Sequence, residues 1–287
     1  MKIVDNPSEM RSWSMEQKCA GHTIGFVPTM GALHEGHAAL MREAVAKNNS
    51  SVISIFVNPT QFAPHEDFDR YPRKFDDDVQ LAEKIGIEAI YAPKASVMYP
   101  EGYETYVTVD KLSERLCGRT RPTFFRGVAT VVTKLFNVVL PDRAYFGQKD
   151  AQQCAVIRRM ARDLDFGIEI VELPIVREPD GLARSSRNEY LSEAERERAC
   201  CLYEGLMKAQ EVLEAGERDP SRVIGAIRRK THDVSIDYAE VVDAEEIQPI
   251  EKITGPVLVA VAAFVGDTRL IDNIKFTPPE AVGDGSG

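Results

Sequence analysis

A chain of 287 residues, 44% hydrophobic and 28% charged, can bury one large domain, or a large domain and a small one. Its formal charge of −10 at pH 7 argues against a nucleic-acid partner, because an acidic surface repels phosphate backbones. The longest apolar run, Val257 to Val265, is too short to span a bilayer and reads as a buried strand.

Apolar runs alternate with helical patterns through the first 175 residues or so. Ile24–Thr29 reads as a strand, His37–Lys47 as a helix, and Val52–Val57 as a β-branched strand stopped by Asn58-Pro59. Asp76–Ile85 reads as a helix whose first turn carries three acids, where the helix dipole favours them. Glu88–Ala92 is a short strand, Val128–Leu140 a buried helix, Arg143–Phe146 a strand, Asp150–Asp165 a helix and Ile168–Leu173 a strand. Such alternation predicts an α/β, Rossmann-like doubly wound parallel sheet, with ligands at the carboxyl ends of its strands. Beyond a linker near Val176–Gly181, two polar helices (Glu193–Ala215, Pro220–His232) precede strands at Asp237–Val242, Val257–Val265 and Leu270–Phe276. That order predicts a second, smaller α+β domain. Thr277 to Gly287 reads as a frayed tail.

The N-terminal MKIVDNPSEM lacks the apolar stretch of a secretory leader. The cysteines, Cys19, Cys117, Cys154, Cys200 and Cys201, are odd in number and show no metal spacing, which fits free thiols in a reducing cytoplasm. His22, His65 and His232 have no evident partner.

Chemistry concentrates just after the strands. Pro28 to His37 (PTMGALHEGH) runs from a strand through a glycine turn into His34-x-Gly36-His37 at a helix start. Unpaired N–H groups there attract anions, and histidines three apart share a face. Gly36 leaves room for close approach to the backbone. An adenine nucleotide whose triphosphate lies on the helix end fits this pattern; two histidines at a helix start by chance are the alternative, which the strand-turn-helix context disfavours. Arg184-Ser185-Ser186-Arg187 can grip phosphates, or be a solvated loop with an N-cap serine. Gly147-Gln148-Lys149-Asp150 places a phosphate-seeking lysine at a strand end, or is an ordinary turn. Gln61, after Asn58-Pro59, and Gln153 each offer an amide that can read a carboxylate and a hydroxyl, unless satisfied in the core. Asp76-Asp77-Asp78 reads as helix-start charge.

With these motifs assembled, the sequence resembles the pantoate–β-alanine ligase (pantothenate synthetase) family of HIGH-motif nucleotidyltransferases. The matching stretches are FVPTMGALHEGHAALMREA, IFVNPTQF, YPRKFDDDVQLAE, FRGVATVVTKLFNVVLPDRAYFGQKDAQQ and VREPDGLARSSRNEYLS. The resemblance implies a Rossmann-like ATP- and pantoate-binding domain over 1–175, a small C-terminal lid over 176–287, and a cytoplasmic homodimer. It implies that pantoate attacks ATP to give pantoyl adenylate and pyrophosphate, and that β-alanine then displaces AMP. By position, Met30, Gly31, Ala32, Leu33, His34, Glu35, Gly36 and His37 would hold ATP, with His34 and His37 on its phosphates and His37 as proton donor. Gly147, Gln148, Lys149 and Asp150 would bind the nucleotide, Lys149 through phosphate. Val176 and Arg184, Ser185, Ser186 and Arg187 would close over it. Gln61 and Gln153 would hold pantoate, with Asn58 close by and Gln61 near β-alanine too. Asp77 falls where the family would hold Mg²⁺. The chain departs from the family at Phe124-Phe125-Arg126-Gly127, where His-Phe-Arg-Gly is expected, and at Gln148, where some members have Glu.

Rival readings are a nucleotidyltransferase with a phosphorylated acceptor, which would not need Gln61 and Gln153, and an aminoacyl-tRNA synthetase, which would need more chain and a less acidic one. A non-catalytic nucleotide sensor would lack His37 or Lys149.

Overall fold

A computed structural model describes residues 1–64 and 66–279; His65 and the tail beyond 279 lie outside the described residues. By contacts the chain divides into two units. One is Met1–Glu178 with Ala183–Glu189; the other is Pro179–Leu182 with the chain from Tyr190 onward.

The first unit is built on six parallel strands: β1 (Lys2–Val4), β2 (Ile24–Thr29), β3 (Ser50–Ile55), β4 (Ala89–Tyr91), β5 (Arg143–Gly147) and β6 (Glu169–Leu173), in the order β1-β4-β3-β2-β5-β6. Its helices are α1 (Pro7–Cys19), α2 (Glu35–Lys47), α3 (Phe75–Ile85), the short α4 (Ala95–Met98) and α5 (Cys117–Thr120), α6 (Phe124–Val139) and α7 (Ala151–Asp163). Alternation along β2 sends Val27 into a cluster with Ala38, Met41 and Ala44 of α2 and Ala82 of α3. Phe26 points the other way and meets Phe136 of α6 edge-on, ring centroids 6.4 Å apart. Helices therefore cover both faces of the sheet. From β2 the chain steps outward through β3 to β4, whereas β5 pairs with the opposite side of β2. The order reverses between β2 and β5, and at such a reversal the loops diverge and leave a crevice.

The second unit carries α8 (Glu193–Ala199), α9 (Cys201–Glu214) and α10 (Pro220–Lys230), and the antiparallel sheet β7 (Ser235–Asp243), β8 (Val257–Val265) and β9 (Thr268–Phe276). Its core joins Leu202, Leu206 and Leu213 of α9 to Val257, Val259 and Val261 of β8. The helix expected at 193–215 is two helices that meet at Cys200.

The expected division at residue 176 differs from the observed one. Arg177 and Ala183 form an antiparallel bridge, Arg184 N–H donates to Val176 O at 2.9 Å, and Ser186 Oγ donates to Ala32 O at 3.1 Å. These bonds tie Arg184–Arg187 to the first unit. Among the described residues no helix is long and apolar enough to cross a membrane.

Candidate active site

The chain leaves β2 through a turn that requires special backbone. Gly31 and Ala32 both have positive φ, +80° and +50°. The carboxylate of Asp78, at the start of α3, accepts the Ala32 and Leu33 N–H groups at 2.9 and 2.7 Å. A Cβ at Gly31 would lie 2.8 Å from that carboxylate, so glycine is demanded there. The turn thus delivers His34 as the N-cap of α2, which is why the helix starts at Glu35 and not at His37.

The two histidines close a reciprocal capping box. His34 Nδ1 accepts Gly36 N–H at 3.1 Å, and His37 Nδ1 accepts His34 N–H at 3.3 Å. The rings lie 4.1 Å apart, tilted by 37°. A Cβ at Gly36 would meet the His34 ring at 2.8 Å. Since each Nδ1 faces a backbone donor, each neutral ring carries its proton on Nε2, an assignment that follows from the hydrogen bonds. Burial, then the positive charges of Lys149 and Arg184, lower His34 to about 4. Burial, then His34 and Lys149, hold His37 well below the usual imidazole value. At neutral pH both are uncharged N–H donors into a cleft that they line with Lys149 and Arg184.

The ends of β3 and β5 supply the other walls. Asn58 follows β3 and is 1% exposed; Gln61 closes the next turn. Asn58 Nδ2 donates to Gln61 Oε1 and to Gly127 O, both at 3.1 Å. Gln61 Nε2 rests on Met30 Sδ at 3.0 Å. After β5, Lys149 Nζ lies 3.7 Å from the Asp150 carboxylate, and Gln153 reaches the cleft from the first turn of α7. Its neighbour Gln152 does structural work instead: it is buried, accepts Cys117 N–H at 3.1 Å and donates to Leu112 O and Arg115 O at 2.8 and 2.7 Å. Val128, Val131, Val132 and Leu135 form an apolar stripe of α6 along the cleft, beside Phe124. Phe124 stands where the family resemblance expects a histidine; its ring is covered by the Arg121 guanidinium at 3.8 Å.

Val176 and Arg184 to Arg187 also line the cleft. Arg184 holds Glu178 at 2.9 Å, while its Nε is buried without a hydrogen-bond partner. Arg187 grips Asp67 with two bonds of 2.8 and 2.9 Å. Met30, Gly36, Gly147, Lys149 and Asp150 line the cleft; Gly31, Ala32, Leu33, Glu35 and Gln148 frame its turns without lining it. Asp77 is exposed and outside the cleft, and among the described residues no group of three or more His, Cys, Asp or Glu is disposed to hold a metal. The buried acid of that run is Asp78, which sequence reasoning passed over; the available signal was its spacing with Ala82 on the buried face of α3. Tyr71 and Tyr99, one lining the cleft and the other hydrogen-bonded behind it to Asn58, carried no sequence signal.

The sequence profile of the pantoate–β-alanine ligase family matches residues 2–275. A pantothenate synthetase of Thermotoga petrophila is 55% identical over 276 residues, spanning 95% of this chain and 99% of its own. One from Fervidobacterium nodosum is 52% identical, over 96% and 99%. The crystal structure of a Thermus thermophilus pantothenate synthetase superposes with a TM-score of 0.90 at 42% identity, over 96% of this chain and 99% of that one. A Francisella tularensis pantoate–β-alanine ligase, crystallised with β-γ ATP and β-alanine, gives a TM-score of 0.78 at 31% identity, over 96% and 97%.

Proposed function

The chain belongs to the pantoate–β-alanine ligase family, and from that premise we propose that it condenses (R)-pantoate with β-alanine to pantothenate, converting ATP to AMP and pyrophosphate. The observation that carries this reading is the convergence, at the sheet's reversal point, of two neutral histidines, a lysine and two glutamines.

A carboxylate is a poor acylating agent because its oxygen does not leave. In the first step a pantoate oxygen attacks the α-phosphorus and the bond to pyrophosphate breaks. Nε2–H of His34 and His37 and the Lys149 ammonium face the phosphates, where charge moves onto the departing oxygens. Neutral histidines suit this role, since they donate hydrogen bonds in the ground state and take up charge only as it develops. The buried, unpartnered Nε of Arg184 is a further donor for the nucleotide. Gln61 and Gln153 orient the acid, with the α6 stripe against its alkyl part. In the second step the β-alanine amine attacks the acyl carbon, AMP leaves with both electrons of its C–O bond, and the nitrogen loses a proton. Positioning and charge neutralisation accomplish both steps, and no covalent enzyme intermediate is needed.

Asp77 is exposed, and among the described residues no group of three or more His, Cys, Asp or Glu is disposed to hold a metal; in this reading Mg²⁺ enters as part of the ATP substrate. Homodimeric assembly, a cytoplasmic setting and a lid role for the second unit belong to the same proposal and rest on the resemblance.

The test is exchange of labelled pyrophosphate into ATP with MgATP and pantoate alone, followed by transfer of one carboxylate oxygen-18 of pantoate to AMP once β-alanine is added. Exchange that requires tRNA, or label in inorganic phosphate with ADP as product, would overturn the reading.

A further inference from the structure

Asn58 sits among the candidate acid-binding groups, yet its amide has no capacity left for a substrate. Its two N–H groups are spent on Gln61 Oε1 and Gly127 O, each at 3.1 Å. Its oxygen accepts the Tyr99 hydroxyl at 2.8 Å and the Thr60 hydroxyl at 2.9 Å, with Thr60 N–H at 3.4 Å. An amide has two donors and two lone pairs, and all four are engaged.

Backbone groups fix which way this amide points. The Gly127 carbonyl can only accept, so the nitrogen must face it; the Thr60 N–H can only donate, so the oxygen must face that side. Gly127 makes the approach possible, since a Cβ there would lie 2.4 Å from Thr60 O. Tyr99 reinforces the choice from behind the cleft. Burial pushes its phenol up to about 12, so it remains an O–H donor at any working pH.

The polarity is then passed on. Because Asn58 offers Gln61 a donor, Gln61 must answer with its oxygen, which turns Nε2 toward Met30 and the cleft. There one N–H rests on a thioether, a weak acceptor that a carboxylate displaces at little cost. The sequence left open whether Gln61 presents donor or acceptor to the acid; the network makes it a donor.

We propose that Asn58 and Tyr99 are positioning residues that touch no substrate and set Gln61 as a hydrogen-bond donor to the carboxylic acid, a role that rests on the adenylation reading above. Wild-type exchange is measured first; its absence would defeat the adenylation reading itself, and this proposal with it. With exchange established, Tyr99→Phe removes one donor to Asn58 and should raise KM for pantoate about 3- to 10-fold, leaving KM for ATP within about twofold. Asn58→Asp keeps the shape but sets a carboxylate against both the Gly127 carbonyl and the Gln61 oxygen; the Gln61 amide can answer by turning round, and the change should cost about 10²-fold in kcat/KM for pantoate. The decisive measurement is the double variant. If Asn58 acts through Gln61, Asn58→Asp adds less than about threefold to the loss already caused by Gln61→Ala. A full, additive penalty in the Gln61→Ala background would mean that Asn58 contacts the acid directly. Equal rises in KM for ATP and pantoate, in either single variant, would mean a general loss of structure; both results overturn the proposal.

Discussion

His37 both closes the first turn of α2 and faces the cleft, and two near-isosteric substitutions separate these duties. Its Nδ1 accepts His34 N–H at 3.3 Å, while its Nε2–H is the group that the proposed reaction would offer to phosphate. Asparagine places its oxygen near Nδ1 and can retain the cap, but reaches nowhere near Nε2. Glutamine places its amide nitrogen near Nε2 and abandons the cap. Removing one preorganised donor from a developing oxyanion costs about 10²–10³ in rate, so His37→Asn should lose that much kcat. The cap bond is long, which puts its loss at the lower end of the usual range of about 0.5–2 kcal/mol. His37→Gln should therefore melt lower by only a few degrees, at about 2–4 °C per kcal/mol for a chain approaching this size, and keep kcat within about tenfold of wild type, some 1.4 kcal/mol of barrier. Pyrophosphate exchange at saturating ATP and pantoate reads the rate, and calorimetry reads the melting point. An asparagine variant with full activity, or a glutamine variant as inactive as asparagine but well folded, would refute the assignment of Nε2 as the working atom.

Asp78→Asn leaves an amide NH₂ opposing one of the Ala32 and Leu33 N–H groups; because burial already holds the Asp78 carboxyl above its ordinary value, stability should change little, while displacement of the histidine turn should cut kcat/KM for ATP about 10–10²-fold. Unchanged ATP kinetics with a raised Mg²⁺ requirement would make Asp78 a metal ligand instead. His34 titrates near 4 when folded against an ordinary 6.5, so the unfolded chain takes up its proton first. Stability is therefore full above pH 6.5 and is lost as pH falls from 6.5 through 4; His34→Gln should flatten that stretch of a melting-point–pH curve, and an unaltered slope would contradict the shift. Gln152→Ala, which strips two buried hydrogen bonds and a third that is partly buried, should destabilise by about 2–4 kcal/mol with unchanged KM, while Gln153→Ala should raise KM for pantoate at nearly constant melting temperature; denaturant titration and steady-state kinetics separate the two.

The inner strands of the central sheet were readable because they are buried on both faces: the apolar runs at Val52–Val57 and around Val27 suit a covered parallel strand, whereas β1, three residues with only Val4 buried, offers no such run. α6 was legible as a buried helix, though not its start at Phe124, because the Arg126-Gly127 break in the apolar pattern hides a glycine kept for the Thr60 contact. α1 escaped notice: it buries only Met10, Trp13 and Ser14, too sparse a stripe for periodicity to reveal. The histidine turn was evident from local spacing, and the structure brings His34, His37, Lys149, Gln61 and Gln153 to one cleft. What the sequence withheld was the support behind them. Asp78, Tyr99 and Gln152 act through contacts with residues some 35 to 46 positions away, and no local pattern encodes a partner at that distance.

The apolar stripe of α6 has a consequence for substrate range. Val128, Val131, Val132 and Leu135 meet the cleft, while Phe136 of the same helix locks against Phe26 in the sheet. A larger acid would need a trimmed stripe, and each trimmed side chain removes packing from a helix whose other face anchors the first unit. On the proposed reading, in which the acid lies against this stripe, broader substrate choice should come at the expense of heat resistance, and selection for a bulkier acid should first enrich compensating changes beneath α6, far from any reacting atom.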